Sequence, residues 1–255
     1  MNEKDKVKRV LKNIEIVKEN IKSASKRGGQ KKEVHLIIVT KNQPKELVAE
    51  LIKKSPGLVI AENRTAEANL KKTFFDAANL KTGDYSLHFI GRLQTNKIKD
   101  FLAVSNIIHS LDRWSLISQL EKKLSFEKER KNLPEEYKVQ GFLQLNVSGE
   151  EVKAGFTLDE AIEILPRLAD FRHMDFIGLM TMAPFTNDMN VVRDCFSLLR
   201  QARDRLVKEV GSLEKKSCNC LSLDFLSMGM TNDYIVAGEE GATHVRVGSA
   251  IFDFS

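Results

Sequence analysis

A lysine that follows the first strongly apolar run is the first residue for which a chemistry can be proposed. The run covers residues 34–39, and Thr40 and Lys41 come directly after it. A lysine where a buried strand meets a loop is expected to be poorly hydrated. Desolvation lowers the pKa of an amine and leaves it nucleophilic, as covalent bonding to an aldehyde cofactor requires. The alternative is a lysine that extends from a strand end into water, which position alone does not exclude.

Two loops near the C-terminus combine glycine with hydroxyl side chains. Ser227, Gly229 and Thr231 follow one apolar run, and Gly248 and Ser249 follow the next. Glycine lets backbone N–H groups approach a phosphate, and hydroxyl groups can complete its coordination. Either loop alone is explained as well by an ordinary turn and helix cap. The two together, in positions where barrel enzymes often bind phosphate, favour a phosphate site.

An arginine lies inside the last apolar run, Arg246 between Val245 and Val247. An arginine that faces the interior of a fold needs an acceptor or an anion to offset its desolvation. An ion pair with Glu62 or Asp224 would provide this. The other possibility is that Arg246 faces the ring nitrogen of a pyridoxal cofactor, for which a charged side chain is a recognised partner.

Alternating strand-like and helix-like segments must position these residues. Most of the strand-like runs are continuously apolar, as expected of parallel strands covered on both faces. Predicted strands lie at about residues 34–39, 58–61, 86–91, 106–110, 139–147, 175–182, 222–227 and 244–248. Helical patterns lie between them at about 45–54, 64–72, 95–103, 113–131, 158–169, 189–209 and 232–239. This alternation predicts an α/β fold, a single (β/α)8 TIM-type barrel.

An extra amphipathic helix is predicted ahead of the barrel, at residues 3–25. Residues 1–30 are expected to form this helix and a linker that pack on the barrel. No helix is predicted after the eighth strand, so the N-terminal helix could cover that side. Because the sequence has no internal repeat and no inter-domain linker, residues 1–255 are predicted to form one domain.

The composition excludes several classes of protein. The 255 residues are 42% hydrophobic and 29% charged, a globular balance, and no apolar run reaches the ~18 residues of a membrane span. Three cysteines argue against a disulfide framework, and the five histidines lack metal-ligand spacing, so no metal is predicted. The net charge of +5 comes from 40 basic and 35 acidic residues, which indicates a solvated surface rather than a nucleic-acid site. Since the N-terminus lacks the apolar segment of a signal peptide, a cytoplasmic protein is expected.

Several motifs occur in an order that is typical of a known family. They are Val39-Thr40-Lys41, Glu62-Asn63, His88-Phe89-Ile90-Gly91-x-Leu93-Gln94-x-Asn96-Lys97, Ser148-Gly149-Glu150-Glu151-x-Lys153-x-Gly155, Gly178-Leu179-Met180-Thr181, Leu226-Ser227-Met228-Gly229-Met230-Thr231-x-Asp233 and His244-Val245-Arg246-Val247-Gly248-Ser249-Ala250-Ile251-Phe252. Over essentially its whole length the chain resembles the YggS/PROSC-type pyridoxal phosphate homeostasis proteins. The motifs that begin at His88 and at Leu226 are specific together, because neither is a generic fold motif.

The resemblance implies a site for one cofactor. The fold would be a barrel of the alanine racemase N-terminal type without a C-terminal β domain. Pyridoxal 5′-phosphate (PLP) would be bound to Lys41 as a Schiff base, with Asn63 beside it and Arg246 near the pyridine nitrogen. Phosphate contacts are implied for two loops, through Ser227, Met228, Gly229, Thr231, Gly248 and Ser249.

The resemblance also implies a role and its partners. Known members show no established turnover and are thought to buffer PLP and deliver it, so PLP-dependent apo-enzymes are expected partners. No nucleic acid or membrane is expected as a partner, and a monomer is expected. The chain departs from the family pattern at Ala61, Arg64 and Asp253, of which the last two could alter the charge at the rim.

A PLP-dependent amino-acid racemase or lyase of the same fold is the alternative. An arginine at the pyridine nitrogen disfavours protonation there, which makes the ring a weaker electron sink. A racemase also needs a second base opposite the lysine. Tyr85 and Tyr137 are at the wrong ends of their strands, and Tyr234 is expected to pack as a helix residue. A non-catalytic carrier is therefore predicted.

Overall fold

Eight parallel strands pair in chain order and close into a barrel, with β8 returning to β1. They are β1 (His35–Val39), β2 (Leu58–Glu62), β3 (Tyr85–Phe89), β4 (Ile107–Leu111), β5 (Val139–Gln144), β6 (Met174–Met180), β7 (Leu221–Ser227) and β8 (His244–Val247). This computed structural model describes residues 2–81, 83–149, 154–213 and 219–253. The prediction of a (β/α)8 barrel is confirmed.

Helices cover the outside of the barrel and connect successive strands. They are α1 (Glu3–Arg27), α2 (Lys45–Lys54), α3 (Thr65–Ala77), α4 (Ile98–Leu102), α5 (Trp114–Glu129), α6 (Leu158–Leu168), α7 (Met189–Gly211), α8 (Tyr234–Glu239) and α9 (Ser249–Phe252). A short 3-10 turn, Thr95–Lys97, precedes α4. In the described ranges, no helix combines the length and the apolarity that crossing a membrane requires.

Several elements differ from the sequence-based expectation, and the third helix, for example, continues to Ala77. The fifth strand was expected to continue to residue 147 but ends at Gln144, because Leu145 forms an isolated bridge with Phe156 instead. The expectation that no helix follows β8 is wrong, since α9 forms directly after Gly248. Residues 150–153, which contain part of the motif that begins at Ser148, lie outside the described residues.

The N-terminal helix covers the side of the barrel near the last strand. Its apolar stripe, which includes Val10, Val17 and Ile21, is buried, and α1 packs against α8 and α9. The Asn13 side-chain amide donates to the carbonyl oxygen of Ile251 at 3.0 Å, which joins the start of the chain to α9. The side chain of Asn2 accepts from the Asp5 amide and so caps the helix.

Aromatic rings and histidines fill the interior of the barrel. His109 stacks on Phe142 with ring centroids 4.1 Å apart, and His244 meets Phe142 edge-on at 5.3 Å. Burial lowers the pKa of His88 to about 4 and that of His244 to about 3. These imidazoles are therefore neutral at physiological pH, and they can either donate or accept at each ring nitrogen.

Candidate functional site

A cavity of about 490 Å³ lies at the C-terminal ends of the strands, the face on which barrels of this type build their active sites. The predicted site residues that line it are Lys41, Asn63, Thr231, Arg246, Gly248 and Ser249. They come from β1, β2, β7 and β8 or from the loops that follow these strands. The fold therefore brings together groups that are far apart in the sequence.

Lys41 is placed at the rim of this cavity and is exposed. The expectation that burial desolvates this amine is wrong. The strand β1 ends at Val39, Thr40 after it is buried, and Lys41 is exposed. The chain then turns through Asn42, whose φ of 62° is left-handed. Lys41 is thus held by a tight turn at its main chain while its side chain is accessible.

Asn63 lines the cavity, and the loop after β3 comes very close to it. A Cβ atom added to Gly91 would lie 1.9 Å from the carbonyl oxygen of Asn63, which is impossible without a shift of the main chain. Gly91 therefore allows the loops after β2 and β3 to touch. The glycine in the motif that begins at His88 thus serves the position of Asn63.

Arg246 forms the floor of the cavity and is only 4% exposed. It donates to the hydroxyl oxygen of Ser227 at 2.6 Å and to the carbonyl oxygen of Thr181 at 3.0 Å. The suggested ion pair with Glu62 or Asp224 is wrong, because both of these acceptors are uncharged. Burial lowers the pKa of Arg246 to about 10, with Asp233 acting in the opposite direction.

A chain of hydrogen bonds extends from Arg246 into the barrel. Arginine can only donate, so Ser227 Oγ accepts from it, and this oxygen also lies 2.8 Å from His109 Nδ1. Burial lowers the pKa of His109 well below its usual value, so this imidazole is neutral. Its Nε2 atom lies 3.0 Å from His88 Nδ1. These hydrogen bonds join the arginine to two neutral imidazoles, and no carboxylate takes part in them.

The predicted phosphate loop after β7 divides into two parts. Ser227 and Met228 are fully buried, and neither they nor Gly229 are among the cavity-lining residues. Gly229 has a φ of 91°, and a Cβ there would lie 2.5 Å from that of Ala237 on α8. The glycine is thus required by a left-handed turn and by the helix packed against it.

The second part of the loop faces the cavity, at Met230–Asp233. Thr231 Oγ1 accepts from the Ala250 amide at 3.4 Å, which places this loop beside the loop after β8. At that second loop, a Cβ on Gly248 would come within 3.2 Å of the Val39 carbonyl oxygen. Asp233 accepts a hydrogen bond from the Met230 amide, and its carboxyl group is expected to titrate high because burial raises its pKa.

These groups match the parts of PLP. An accessible amine, Lys41, can react with an aldehyde, and the guanidinium of Arg246 can face a ring nitrogen. Thr231, Gly248 and Ser249 offer hydroxyl groups and close backbone at neighbouring loops, as a phosphate requires. The residues present therefore fit the cofactor that the sequence implies.

The loop after β6 and the start of α7 supply apolar lining of the cavity, of which sequence reasoning missed Phe185 and Met189. Met182 in the same loop and Met230 after β7 also line the cavity. The side chain of Phe185 is 100% exposed. The sequence had indicated only Thr181 and Met182 at this strand end, because apolar residues further along a loop are ordinarily interpreted as core.

Comparison with known proteins agrees with this geometry. Residues 12–255 match the family described as alanine racemase, N-terminal domain. The pyridoxal phosphate homeostasis protein of Aquifex aeolicus is 35% identical over 254 residues, which cover 99% of this chain and 98% of that protein. The human protein of the same name is 32% identical over 221 residues, covering 85% of this chain and 75% of its own length.

A solved structure shows the same fold. PipY of Synechococcus elongatus, determined with PLP bound, superposes with a TM-score of 0.72 at 28% identity. The match covers 86% of this chain and 92% of PipY.

Proposed function

We propose, since this chain belongs to the pyridoxal phosphate homeostasis protein family, that it holds PLP reversibly through Lys41 and releases it to other proteins. The observation that carries this proposal is the shared cavity, in which an exposed lysine lies at the rim and a buried arginine at the floor. PipY, which is similar in fold and sequence, was solved with PLP bound. PLP-dependent apo-enzymes are the recipients we propose, and the cytoplasmic location and monomeric state stay predictions.

Different residues would hold different parts of the cofactor. When bound, PLP supplies an aldehyde that condenses reversibly with a primary amine, with loss of one water molecule. Lys41 would provide that amine, and Arg246 would face the ring nitrogen with Asn63 alongside. Thr231, Gly248 and Ser249 would contact the phosphate. Ser227, Met228 and Gly229 would act indirectly, because they set the position of Arg246 and the shape of the loop.

Several features support holding over catalysis. The positive charge of Arg246 opposes protonation of a neighbouring ring nitrogen, which weakens carbanion chemistry. The tyrosine hydroxyl groups that could act as a second base are engaged elsewhere or lie far from the cavity. That of Tyr234 accepts from Asn20 on α1 at 3.0 Å, and that of Tyr137 donates to the Ser105 carbonyl oxygen at 3.3 Å. Tyr85 begins β3, at the opposite end of the barrel from the cavity.

An amino-acid racemase or lyase is the second candidate, because Asp233 lines the cavity. Burial raises the pKa of this carboxyl group, as is common for a general acid or base. Its hydrogen bond from the Met230 amide favours a structural role in the loop. Deuterium exchange at the α-carbon of a panel of amino acids separates the two candidates. Exchange no faster than with free PLP supports the carrier, and much faster exchange supports the enzyme.

Reductive trapping tests the proposal. The purified protein is mixed with PLP, reduced with borohydride and digested, and the modified peptide is identified by mass. We expect the label on Lys41, its loss in Lys41→Ala, and its retention in Lys54→Ala, which removes an exposed lysine at the end of α2. Equal labelling of Lys41→Ala on another lysine of the cavity face would show that the site is wrongly assigned.

A further inference from the structure

A second lysine, Lys71 on α3, is buried although nothing in the sequence pattern marks it. It is 4% exposed, and its ammonium group donates to the Thr40 carbonyl oxygen at 2.6 Å. The same group forms an ion pair with Glu62, which ends β2 and is 0% exposed. The ion pair therefore reaches the residue directly before Lys41.

The carboxylate of Glu62 holds Thr40 from another direction. Its Oε1 atom accepts from the Thr40 hydroxyl at 2.6 Å. The strand register places Val39 beside Ala61, so Thr40 is level with Glu62. One buried ion pair thus contacts both the carbonyl oxygen and the side chain of Thr40.

Strand alternation places this ion pair behind the site rather than in it. Successive residues of a strand point to opposite faces, and Val39 and Lys41 both line the cavity. Thr40 and Glu62 therefore face outward, toward the helix α3 that carries Lys71. The buried lysine is then no ligand of the cofactor, and any influence it has on the site must pass through the main chain.

The remaining polar groups of Thr40 are also engaged. Its amide donates to the Ala61 carbonyl oxygen at 3.0 Å, and its carbonyl oxygen accepts from the Gln43 amide at 3.0 Å as well as from Lys71. The left-handed φ of Asn42 completes the turn. Hydrogen bonds therefore hold the main chain directly before Lys41, and a tight turn follows it.

Stability is a poor explanation for such an ion pair. Replacing a buried ion pair with apolar residues of similar volume is often neutral or stabilising, because desolvation offsets the attraction. This pair also carries an energetic cost, because the buried Glu62 Oε2 atom has no hydrogen-bond partner within the described part of the chain. A pair of this kind is better explained by the precision with which it holds Thr40.

We infer that Lys71 and Glu62 are positioning residues that fix the main chain at Thr40 and so set the point from which Lys41 reaches PLP. The inference rests on the proposed function, because it concerns the capture of PLP by Lys41. Without the ion pair between Lys71 and Glu62, Lys41 is still present and accessible, but its Cα atom is no longer held at one place. Misplacement by about 1 Å can slow a reaction by up to ~100-fold.

The decisive variant replaces the pair with apolar residues, Glu62→Leu together with Lys71→Met. The rate of PLP capture is followed by absorbance and by borohydride trapping on the Lys41 peptide. We expect capture to slow about tenfold while the urea midpoint of unfolding stays near that of the unmodified protein. Amide hydrogen exchange at Lys41 and Asn42 should become faster. Lys72→Met, which removes the half-buried neighbour of Lys71 on α3, is the control and should leave the capture rate and the exchange at Lys41 unchanged.

A second pair of variants keeps the inference testable if the double variant does not fold. Thr40→Val removes only the hydroxyl that Glu62 accepts from, and Thr40→Ser keeps it. If the double variant does not fold, slower capture by the valine variant, restored by serine, supports the positioning role, and capture by the valine variant at the unmodified rate overturns it. In any of these variants, slower capture without faster exchange at Lys41 also overturns it.

The outcome for the unmodified protein separates this inference from the proposed function. If that protein does not capture PLP on Lys41, the proposed function fails. If it does and the apolar double variant captures equally fast, the proposed function stands and the positioning role is wrong.

Discussion

Arg246 and Ser227 are joined by a 2.6 Å hydrogen bond between the last two strands of the barrel. Both residues face the interior, and the serine hydroxyl is also hydrogen-bonded to His109. The arginine therefore donates its hydrogen bonds to neutral groups and not to a carboxylate. Its positive charge is left uncompensated by direct contact, which makes the floor of the cavity electropositive and suits it to an anionic ligand.

Removal of the serine hydroxyl should disturb the arginine. In Ser227→Ala, Arg246 Nη1 and His109 Nδ1 lose a shared partner while staying buried, which costs about 1–3 kcal/mol of unfolding free energy. We also expect weaker retention of PLP, measured by equilibrium dialysis, because the guanidinium is free to turn. Ser222→Ala, at an exposed position of the same strand, is the control and should leave both quantities unchanged. An unaltered PLP affinity in Ser227→Ala would contradict the role given to this hydroxyl.

The buried histidines predict a loss of stability in acid. Burial lowers the pKa of His88 from 6.5 to about 4, so below pH 6.5 the unfolded chain binds a proton that the folded chain does not. The contribution of neutral His88 to the free energy of unfolding is fully present above pH 6.5 and is therefore lost progressively down to about pH 4. At pH 5 this amounts to about 2 kcal/mol for His88, since one pKa unit is worth about 1.4 kcal/mol.

Urea unfolding at pH 7.5 and pH 5 measures this loss. His88→Gln should be less stable than the unmodified protein at pH 7.5, because a buried hydrogen bond to His109 is disturbed. Between pH 7.5 and pH 5, however, its free energy of unfolding should fall by about 2 kcal/mol less than that of the unmodified protein. His173→Gln changes a histidine outside the barrel interior and is the control. A pH dependence that is the same in His88→Gln and the unmodified protein would show that His88 is not held neutral.

Close approach of two loops makes Gly91 critical for Asn63. In Gly91→Ala the new methyl group would overlap the Asn63 carbonyl, so the loop after β2 must move. We expect a loss of about 1–3 kcal/mol in unfolding free energy, as for other overpacked positions, together with weaker PLP binding. Gly211→Ala is the control, because a Cβ there has no neighbour within 4 Å. Unchanged PLP binding in Gly91→Ala would remove Asn63 from the proposed site.

The sequence predicts the elements well and their side-chain contacts less well. Strand-end reasoning placed Lys41, Thr231 and Gly248 at one rim, because parallel strands of a closed barrel all end on the same face. It did not predict that Lys71 is buried, since this depends on which residue of α3 faces the end of β1. Strand alternation could have indicated that the Ser227 side chain faces the barrel interior, as Phe225 two residues earlier meets His244 there.

The charge of Arg246 gives the last prediction. Arg246→Gln keeps a hydrogen-bond donor at the floor of the cavity but removes the positive charge that opposes protonation of a ring nitrogen beside it. The ring nitrogen of bound PLP should then take up a proton at higher pH than in the unmodified protein, which a pH titration of the absorption spectrum records. Arg203→Gln removes a half-buried arginine that is paired with Asp204 on α7 and does not line the cavity, and it should leave the titration as it was. Identical titrations in Arg246→Gln and the unmodified protein would mean that Arg246 does not face the ring nitrogen, and the argument against catalysis would lose its electrostatic basis.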